Sequence, residues 1–172
     1  MRRVARLGVS GLLLLTGCGY SLVRTSGALG DVRSVAIETP ANDSAEAGVE
    51  FLVADALRRE FLQRGAVRLV ENPTAADLVL GGRVSSLRAR GQSLTSTTRV
   101  LEYEVTLALD LEATRRDGSD VPLGAHSLRE TERYLASADA EALRKNREEA
   151  LRRVAQVLAG RIYDALYVSL VP

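Results

Sequence analysis

Few side chains in this 172-residue chain have the chemistry of a catalytic or metal-binding group. The sequence contains a single histidine, His126, and a single cysteine, Cys18. His126 is followed by Ser127 in a predicted polar strand. Adjacent side chains of a strand point to opposite faces, so no Ser–His dyad is predicted. One histidine and one cysteine are also too few for a structural zinc site, which takes four ligands. We therefore predict no metal and no cofactor.

Two further patterns have a possible catalytic interpretation. Glu130 and Glu132 share one face of a predicted strand, as a hydrolytic carboxylate pair would require, but charged pairs on an edge strand are usually solvated. Gly81-Gly82 lacks the Lys-Ser/Thr pair that follows the glycines of a phosphate-binding loop. The sequence thus predicts a protein that is not an enzyme and that acts by binding.

The leader before Cys18 has the form of an export signal. Arg2, Arg3 and Arg6 precede an apolar run of about ten residues, whereas a helix that crosses a bilayer needs roughly 20. A cleaved signal peptide at residues 1–17 is therefore favoured over a permanent transmembrane helix. No second apolar stretch is long enough to span a membrane.

The residues around Cys18 indicate lipid attachment. Leu15-Thr16-Gly17-Cys18 resembles the lipobox of bacterial lipoproteins, in which the cysteine becomes the first mature residue and carries a diacylglycerol with fatty acyl chains such as palmitate. A lone cysteine in an exported protein cannot form an internal disulfide, which favours this interpretation over a chance cysteine beside an ordinary signal. Gly19, in place of an acidic residue, favours the outer membrane, with the chain lipid-anchored on the periplasmic side.

The mature chain is predicted to be one domain on a tether. Residues 18–31 are rich in Gly and Ser and form the lipidated tether, and residues 32–170 form a single α+β domain. The chain is formally +1 and the leader holds three arginines and no acids, which leaves −2 for the mature part. Such a near-neutral charge gives no reason to expect nucleic acid as a partner.

Basic residues concentrate at two places. The first is a polar stretch, residues 88–98, that we interpret as a turn. It contains Arg88 and Arg90 and is followed by Arg99. Arg144, Lys145 and Arg147 stand near the start of the last helix. Guanidinium groups hold phosphates through two hydrogen bonds, so these residues are candidates for contact with an anionic lipid. The alternative is a solvated hairpin tip and a solvated helix face.

Hydrophobic periodicity gives the elements that position these residues. A first strand carries Val32, Val35 and Ile37, and a helix follows from an Asp43–Glu46 capping box to Gly65. The clearest strand alternates from Leu101 to Leu111. The other predicted elements are strands at 67–70, 78–84 and 123–135, a hairpin turn at Asp117-Gly118, and a second helix capped by Ser137 with apolar residues from 143 to 166.

This order of elements predicts the fold class. A run of strands with one wet face, flanked by two helices that each have one apolar stripe, is typical of an α+β two-layer sandwich. We expect a mostly antiparallel or mixed sheet of four to five strands with two helices on one face.

Several segments together resemble one known family. They are Cys18-Gly19-Tyr20, the run from Asn42 to Glu50, Ala75 to Gly82, the strand at Glu102-Tyr103-Glu104-Val105, and Tyr134 ahead of the final helix. None is a catalytic motif, and their order and spacing are more specific than any one alone. In these features the chain resembles LptE, the outer-membrane lipoprotein family that works with the β-barrel LptD in lipopolysaccharide assembly.

The resemblance implies partners and a binding site. It implies an α/β sandwich seated inside an LptD-type barrel from the periplasmic side, acting as plug and assembly partner, and able to bind lipopolysaccharide. In some members basic residues before the Glu-Tyr strand and near the start of the last helix contact the lipid. Lys145, next to Arg144, matches the second position, and Arg90 and Arg99 compete for the first. The alternative function is a lipoprotein accessory subunit of another envelope system, such as an ABC-type transporter.

Overall fold

The computed structural model describes residues 29–94, 100–124 and 128–171. Cys18, Arg99 and His126 therefore lie outside the described residues. The strands are β1 (Ser34–Ile37), β2 (Ala41–Asn42), β3 (Arg68–Leu69), β4 (Leu78–Leu94), β5 (Val100–Arg115), β6 (Asp120–Val121) and β7 (Arg129–Leu135). The helices are α1 (Val49–Arg64) and α2 (Ala140–Leu170), with a short 3-10 turn at Pro73–Ala75.

The strands form one mixed sheet. Its order is β3-β1-β4-β5-β6, with β2 also beside β4 and β7 also beside β5. β1 runs parallel to β3 and β4, whereas β5 is antiparallel to β4 and β7. The sheet is thus five strands wide with two helices, and the predicted α+β sandwich is confirmed.

The alternation predicted for β5 is present. Every second residue from Val105 to Ala113 is buried, while Glu104 and Thr106 lie on the other face. The buried side chains join one hydrophobic core with those of both helices. Phe61 of α1 packs edge-on against Tyr163 of α2, with the ring centroids 5.1 Å apart. The helices therefore cover one face of the sheet, called here the inner face, and do not cover the opposite, outer face.

The ends of the helices differ partly from the sequence predictions. α1 begins after Gly48, which adopts a left-handed conformation (φ 89°) and makes no side-chain cap. The Asp43–Glu46 capping box was therefore a wrong prediction. Gly65 does end α1 as predicted, with its N–H donating to the carbonyl of Phe61. None of the helices in the described ranges is both long and apolar enough to cross a bilayer.

The start of α2 is capped by a different residue from the one predicted. Asp139, not Ser137, accepts hydrogen bonds from the N–H groups of Glu141 and Ala142. Ser137 instead accepts from the N–H of Asp139 through its hydroxyl oxygen at 3.1 Å. An aspartate at this position also stabilises the positive end of the helix dipole.

The first described residues pack against the C-terminal end of α2. Leu29 is fully buried. Gly30 has a φ of +59°, and a Cβ added there would lie 2.2 Å from the carbonyl oxygen of Leu170. Asp31 accepts two hydrogen bonds of 2.8 Å from Arg115 of β5. Gly30 therefore lies against the end of α2.

β4 is longer than the sequence predicted. The polar stretch that was interpreted as a turn from Arg88 continues as strand to Leu94. A bulge at Ser85 lies between the pairs Val84↔Leu109 and Ser86↔Ala108. The backbones of β4 and β5 approach closely at Gly82, since a Cβ there would lie 2.2 Å from the carbonyl oxygen of Asp110. Of the described residues in the predicted strand from 123 to 135, those from Arg129 to Leu135 are strand.

Candidate functional site

Arg90 lies on the outer face of the sheet. It is exposed on β4 and paired with Glu104 of β5, while Arg88 is exposed and paired with Thr106. Side chains of directly paired residues lie on the same face, and Glu104 and Thr106 alternate with the buried Val105. Both guanidinium groups therefore project from the face that the helices leave uncovered.

Two arginines of β7 extend this cluster. Arg133 also pairs with Glu104 in the sheet, with its Nε 3.9 Å from a carboxylate oxygen of that residue. Arg129 pairs with Ala108 two positions further along the same face, beyond the pair Thr106↔Thr131. We call Arg88, Arg90, Arg129 and Arg133 the outer arginine surface. The β7 arginines were not among the ligand candidates predicted from sequence, although their alternation with Glu130 and Glu132 was a signal for it.

The cations at the start of α2 are partly engaged with acidic neighbours. Arg144 donates to both carboxylate oxygens of Glu141, at 2.9 and 2.8 Å, and to Glu148 at 3.2 Å. The Arg144 hydrogen bonds lower the pKa of Glu141, and Glu141 in turn raises the pKa of Arg144. The Nζ of Lys145 is 3.6 Å from Glu141 and its side chain is 68% exposed. Lys145 is therefore the more available of the two for an anionic ligand.

Arg90 and the cations of α2 lie on opposite sides of the sheet. α2 packs on the inner face, against Val105 and Leu107 through the common core. Arg90 projects from the outer face, beside Arg88. Arg99 lies outside the described residues. The sheet therefore separates Arg90 from Lys145, and the fold offers an anion two basic regions instead of one pocket.

Glu130 and Glu132 have a structural role that sequence reasoning missed. They pair with Leu107 and Val105, which places both carboxylates on the inner face toward α2. Arg161 of α2 forms an ion pair with Glu130, and Arg153 donates to Glu132 at 2.8 Å. The two glutamates thus hold the edge strand to the helix, each with its own arginine. Among the described residues no cluster of three or more potential metal ligands occurs.

A second unpredicted connection joins α2 to the segment before α1. Arg147 donates to both carboxylate oxygens of Glu46, at 2.7 and 2.6 Å. These hydrogen bonds lower the pKa of Glu46. The site adjoins Tyr134, whose pKa is raised by burial and whose ring stacks on Tyr103 with a centroid distance of 5.4 Å. Arg147, counted with the lipid candidates from sequence, is therefore occupied by an internal partner.

Comparison with known proteins identifies relatives of this fold. A family model described as LptE, lipopolysaccharide-assembly, matches residues 32–166. Among curated proteins, no sequence matches the chain.

Solved structures share the architecture. The rare lipoprotein B from Shewanella oneidensis has 20% identity and a TM-score of 0.55, covering 79% of this chain and 95% of its own. A lipoprotein B from Nitrosomonas europaea has 17% identity and a TM-score of 0.55, and the match covers 88% of this chain and 90% of the Nitrosomonas protein. A minor lipoprotein from Acinetobacter baumannii has 19% identity and a TM-score of 0.51, covering 79% and 91%. At these identities the likeness shows the fold alone.

Proposed function

The chain belongs to the LptE family of lipopolysaccharide-assembly proteins, and from this premise we propose that it is an outer-membrane lipoprotein that plugs an LptD-type β-barrel and assists its assembly. The single observation that carries the proposal is the match of the family model across residues 32–166, which spans both helices almost completely and every strand of the described sheet. The role is one of binding and scaffolding, with no catalytic step.

The proposed anchor is the lipid on Cys18. Two or three acyl chains hold a protein to a bilayer far more firmly than one, since each buried methylene contributes about 0.8 kcal/mol. Ten residues, 19–28, lie in the sequence between Cys18 and Leu29, which is the first residue that the structure describes and is buried in the core. This short connection keeps the domain next to the periplasmic face of the outer membrane and close to a barrel in the same membrane.

The proposed lipopolysaccharide contacts are Arg90, Arg99, Arg144 and Lys145. Phosphate groups on lipopolysaccharide would bind guanidinium and ammonium groups through charge-assisted hydrogen bonds. Among the described members, Arg90 and Lys145 are favoured, because Arg144 is already bonded to Glu141 and Glu148. Arg88, Arg129 and Arg133 on the outer arginine surface add positive charge around Arg90.

The experiment that tests this function is depletion of the protein from its native cell. New lipopolysaccharide should stop reaching the cell surface, and re-expression of the natural chain should restore it. A Cys18→Ala chain, which lacks the proposed lipid, should be released from the membrane and restore surface delivery less well at equal abundance. Normal surface delivery after complete depletion would refute the proposed function.

A further inference from the structure

The long strand β4 has one side that is only partly covered. It pairs with β5 from Leu78 to Leu94. On its other side it pairs with β1 at residues 78–80 and with β2 at Arg83 and Val84. Beyond Val84, no strand in the described ranges pairs with this side of β4. The residues from Ser85 to Gly91 are exposed or half-buried. The open edge of β4 is therefore accessible along this segment.

The hydrogen-bonding groups on the open edge follow from the ladder. The carbonyl of Val84 accepts from the N–H of Asp43, so the backbone hydrogen-bonding groups of Val84 point away from β5. Paired residues in an antiparallel ladder alternate between bonded and non-bonded pairs. The next pair across the bulge, Ser86↔Ala108, is therefore a bonded pair. Continuing this alternation, Leu87, Ala89 and Gly91 direct their backbone N–H and C=O groups to the open edge.

The charges beside this edge decide what chemistry it accepts. Arg88 and Arg90 are both exposed and both project from the outer face. A second copy of this chain, paired antiparallel about Ala89, would place Arg88 of one copy opposite Arg90 of the other. Like charges directly opposite each other destabilise a pair of strands. A strand with carboxylates at alternate positions would instead set opposite charges in register.

We propose that the open edge of β4 at Leu87–Gly91 binds an extended acidic segment of a partner protein as an added strand. The segment carries Glu or Asp at two positions that face Arg88 and Arg90. Between and beside them it carries β-branched residues whose backbone bonds to Leu87, Ala89 and Gly91. Main-chain hydrogen bonds give such added strands their affinity, and alternate side chains give them their specificity. This proposal concerns protein recognition and does not depend on lipid binding by Arg90.

The first test uses a peptide with the sequence Ser-Val-Glu-Val-Glu-Val-Ser and the full chain purified in detergent. In the free chain the amide hydrogens of Leu87, Ala89 and Gly91 should exchange quickly, and those of Arg88 and Arg90 slowly. Adding the peptide should slow exchange at the first three by at least tenfold. A peptide with Lys in place of Glu should leave exchange unchanged. Equal protection by both peptides, or by neither, would overturn the proposal.

The second test separates strand addition from binding to charge. Ala89→Pro removes the one N–H at the centre of the open edge, where proline is tolerated because its missing donor would face solvent. Both arginines remain, so this variant should fold, keep binding to lipopolysaccharide vesicles and bind the acidic peptide at least tenfold more weakly. Ala89→Val, which retains the N–H, should bind like the natural chain. Equal peptide binding by the two variants would overturn strand addition.

A third comparison distinguishes a foreign strand from self-pairing. Arg88→Glu with Arg90→Glu should reverse the preference toward the Lys peptide. In sedimentation, the natural chain should form no dimer through this edge, that is, no dimer that is lost in the Ala89→Pro variant. Finding such a dimer would assign the edge to a second copy of the chain and overturn the acidic-partner proposal.

Discussion

Arg147 and Glu46 form a two-point ion pair between residues 101 positions apart in the sequence, with distances of 2.7 and 2.6 Å. The pair ties the start of α2 to the segment that leads into α1. Glu46 also belongs to a local network, since its carbonyl accepts from the side-chain amide of Asn42. The contact therefore holds the start of α2 and the segment before α1 together, next to the stacked rings of Tyr103 and Tyr134.

Glu46→Gln is expected to destabilise the domain by about 1–2 kcal/mol. The substitution keeps the shape of the side chain but removes the charge that strengthens both hydrogen bonds to Arg147. Partial exposure of both side chains keeps the expected loss small. Urea unfolding measures it, with Glu71→Gln as the exposed control. A loss equal to that of the control would show that the pair contributes nothing.

Gly82→Ala is expected to destabilise the domain by about 3 kcal/mol or more. The new Cβ would meet the carbonyl oxygen of Asp110 at 2.2 Å and the Cα of Leu111 at 2.8 Å, and Gly82 has a φ of +134°. Gly118→Ala is the matched control, since its φ is also positive but its Cβ would meet open space. The control should lose only about 1 kcal/mol in the same denaturant experiment. Equal losses would remove the close approach as the cause.

The stability of the domain should fall in acid partly through Asp77. Hydrogen bonds from the Ser34 hydroxyl and from the backbone N–H groups of Arg33 and Ser34 lower the pKa of this carboxylate. A carboxyl whose pKa is lower when folded adds stability above its unfolded pKa, and that stability is lost as pH falls through the folded pKa. Asp77→Asn should therefore show a smaller drop in Tm between pH 6 and pH 3 than the natural chain.

The control for the acid prediction is Asp55→Asn. Asp55 forms an exposed pair with Arg59 on α1, with both side chains more than half exposed. The loss of Tm of the Asp55→Asn variant between pH 6 and pH 3 should match that of the natural chain. If Asp77→Asn loses as much Tm between these pH values as the control variant, Asp77 is not a source of acid sensitivity.

Arg90→Asp combined with Lys145→Asp is expected to weaken lipopolysaccharide binding while leaving barrel association intact. Each change replaces an exposed cation with an anion, so phosphates are repelled at both basic regions. A labelled-lipid assay at low and physiological salt measures the effect, which should shrink as salt screens the charges. Arg59→Asp on α1 is the control. Unchanged lipid binding would assign Arg90 and Lys145 to solvated surfaces.

How far the sequence predicts the fold can be seen on β4 and β5. β5 was predicted because Val105, Leu107 and Leu109 keep one face buried without interruption. β4 was cut short because the bulge at Ser85 switches the inward positions from even to odd numbers, from Val84 to Leu87. A period-two pattern cannot continue through such a shift. The exposed residues beyond it, such as Arg90, then resemble a turn.

The candidate site was less predictable, because its partners are distant in sequence. The partner of Glu46 was predicted to be its own helix terminus, since capping is a local pattern and Arg147 lies 101 residues away. The arginines that hold Glu130 and Glu132 belong to α2 and reach these glutamates only because α2 packs against β7 in the folded chain. Arg90, Arg144 and Lys145 are exposed, but the sequence could not show that the sheet separates Arg90 from Lys145.

The proposed function makes this domain a lipid-anchored partner of an LptD-type barrel. The most direct measurement is purification of the tagged full chain from detergent-solubilised outer membranes of its native cell, followed by identification of stoichiometric partners by mass spectrometry. An LptD-type barrel should be recovered with the natural chain and also with the variant that combines Arg90→Asp and Lys145→Asp. Recovery of an inner-membrane ATPase complex without such a barrel, from a folded and abundant chain, would contradict it.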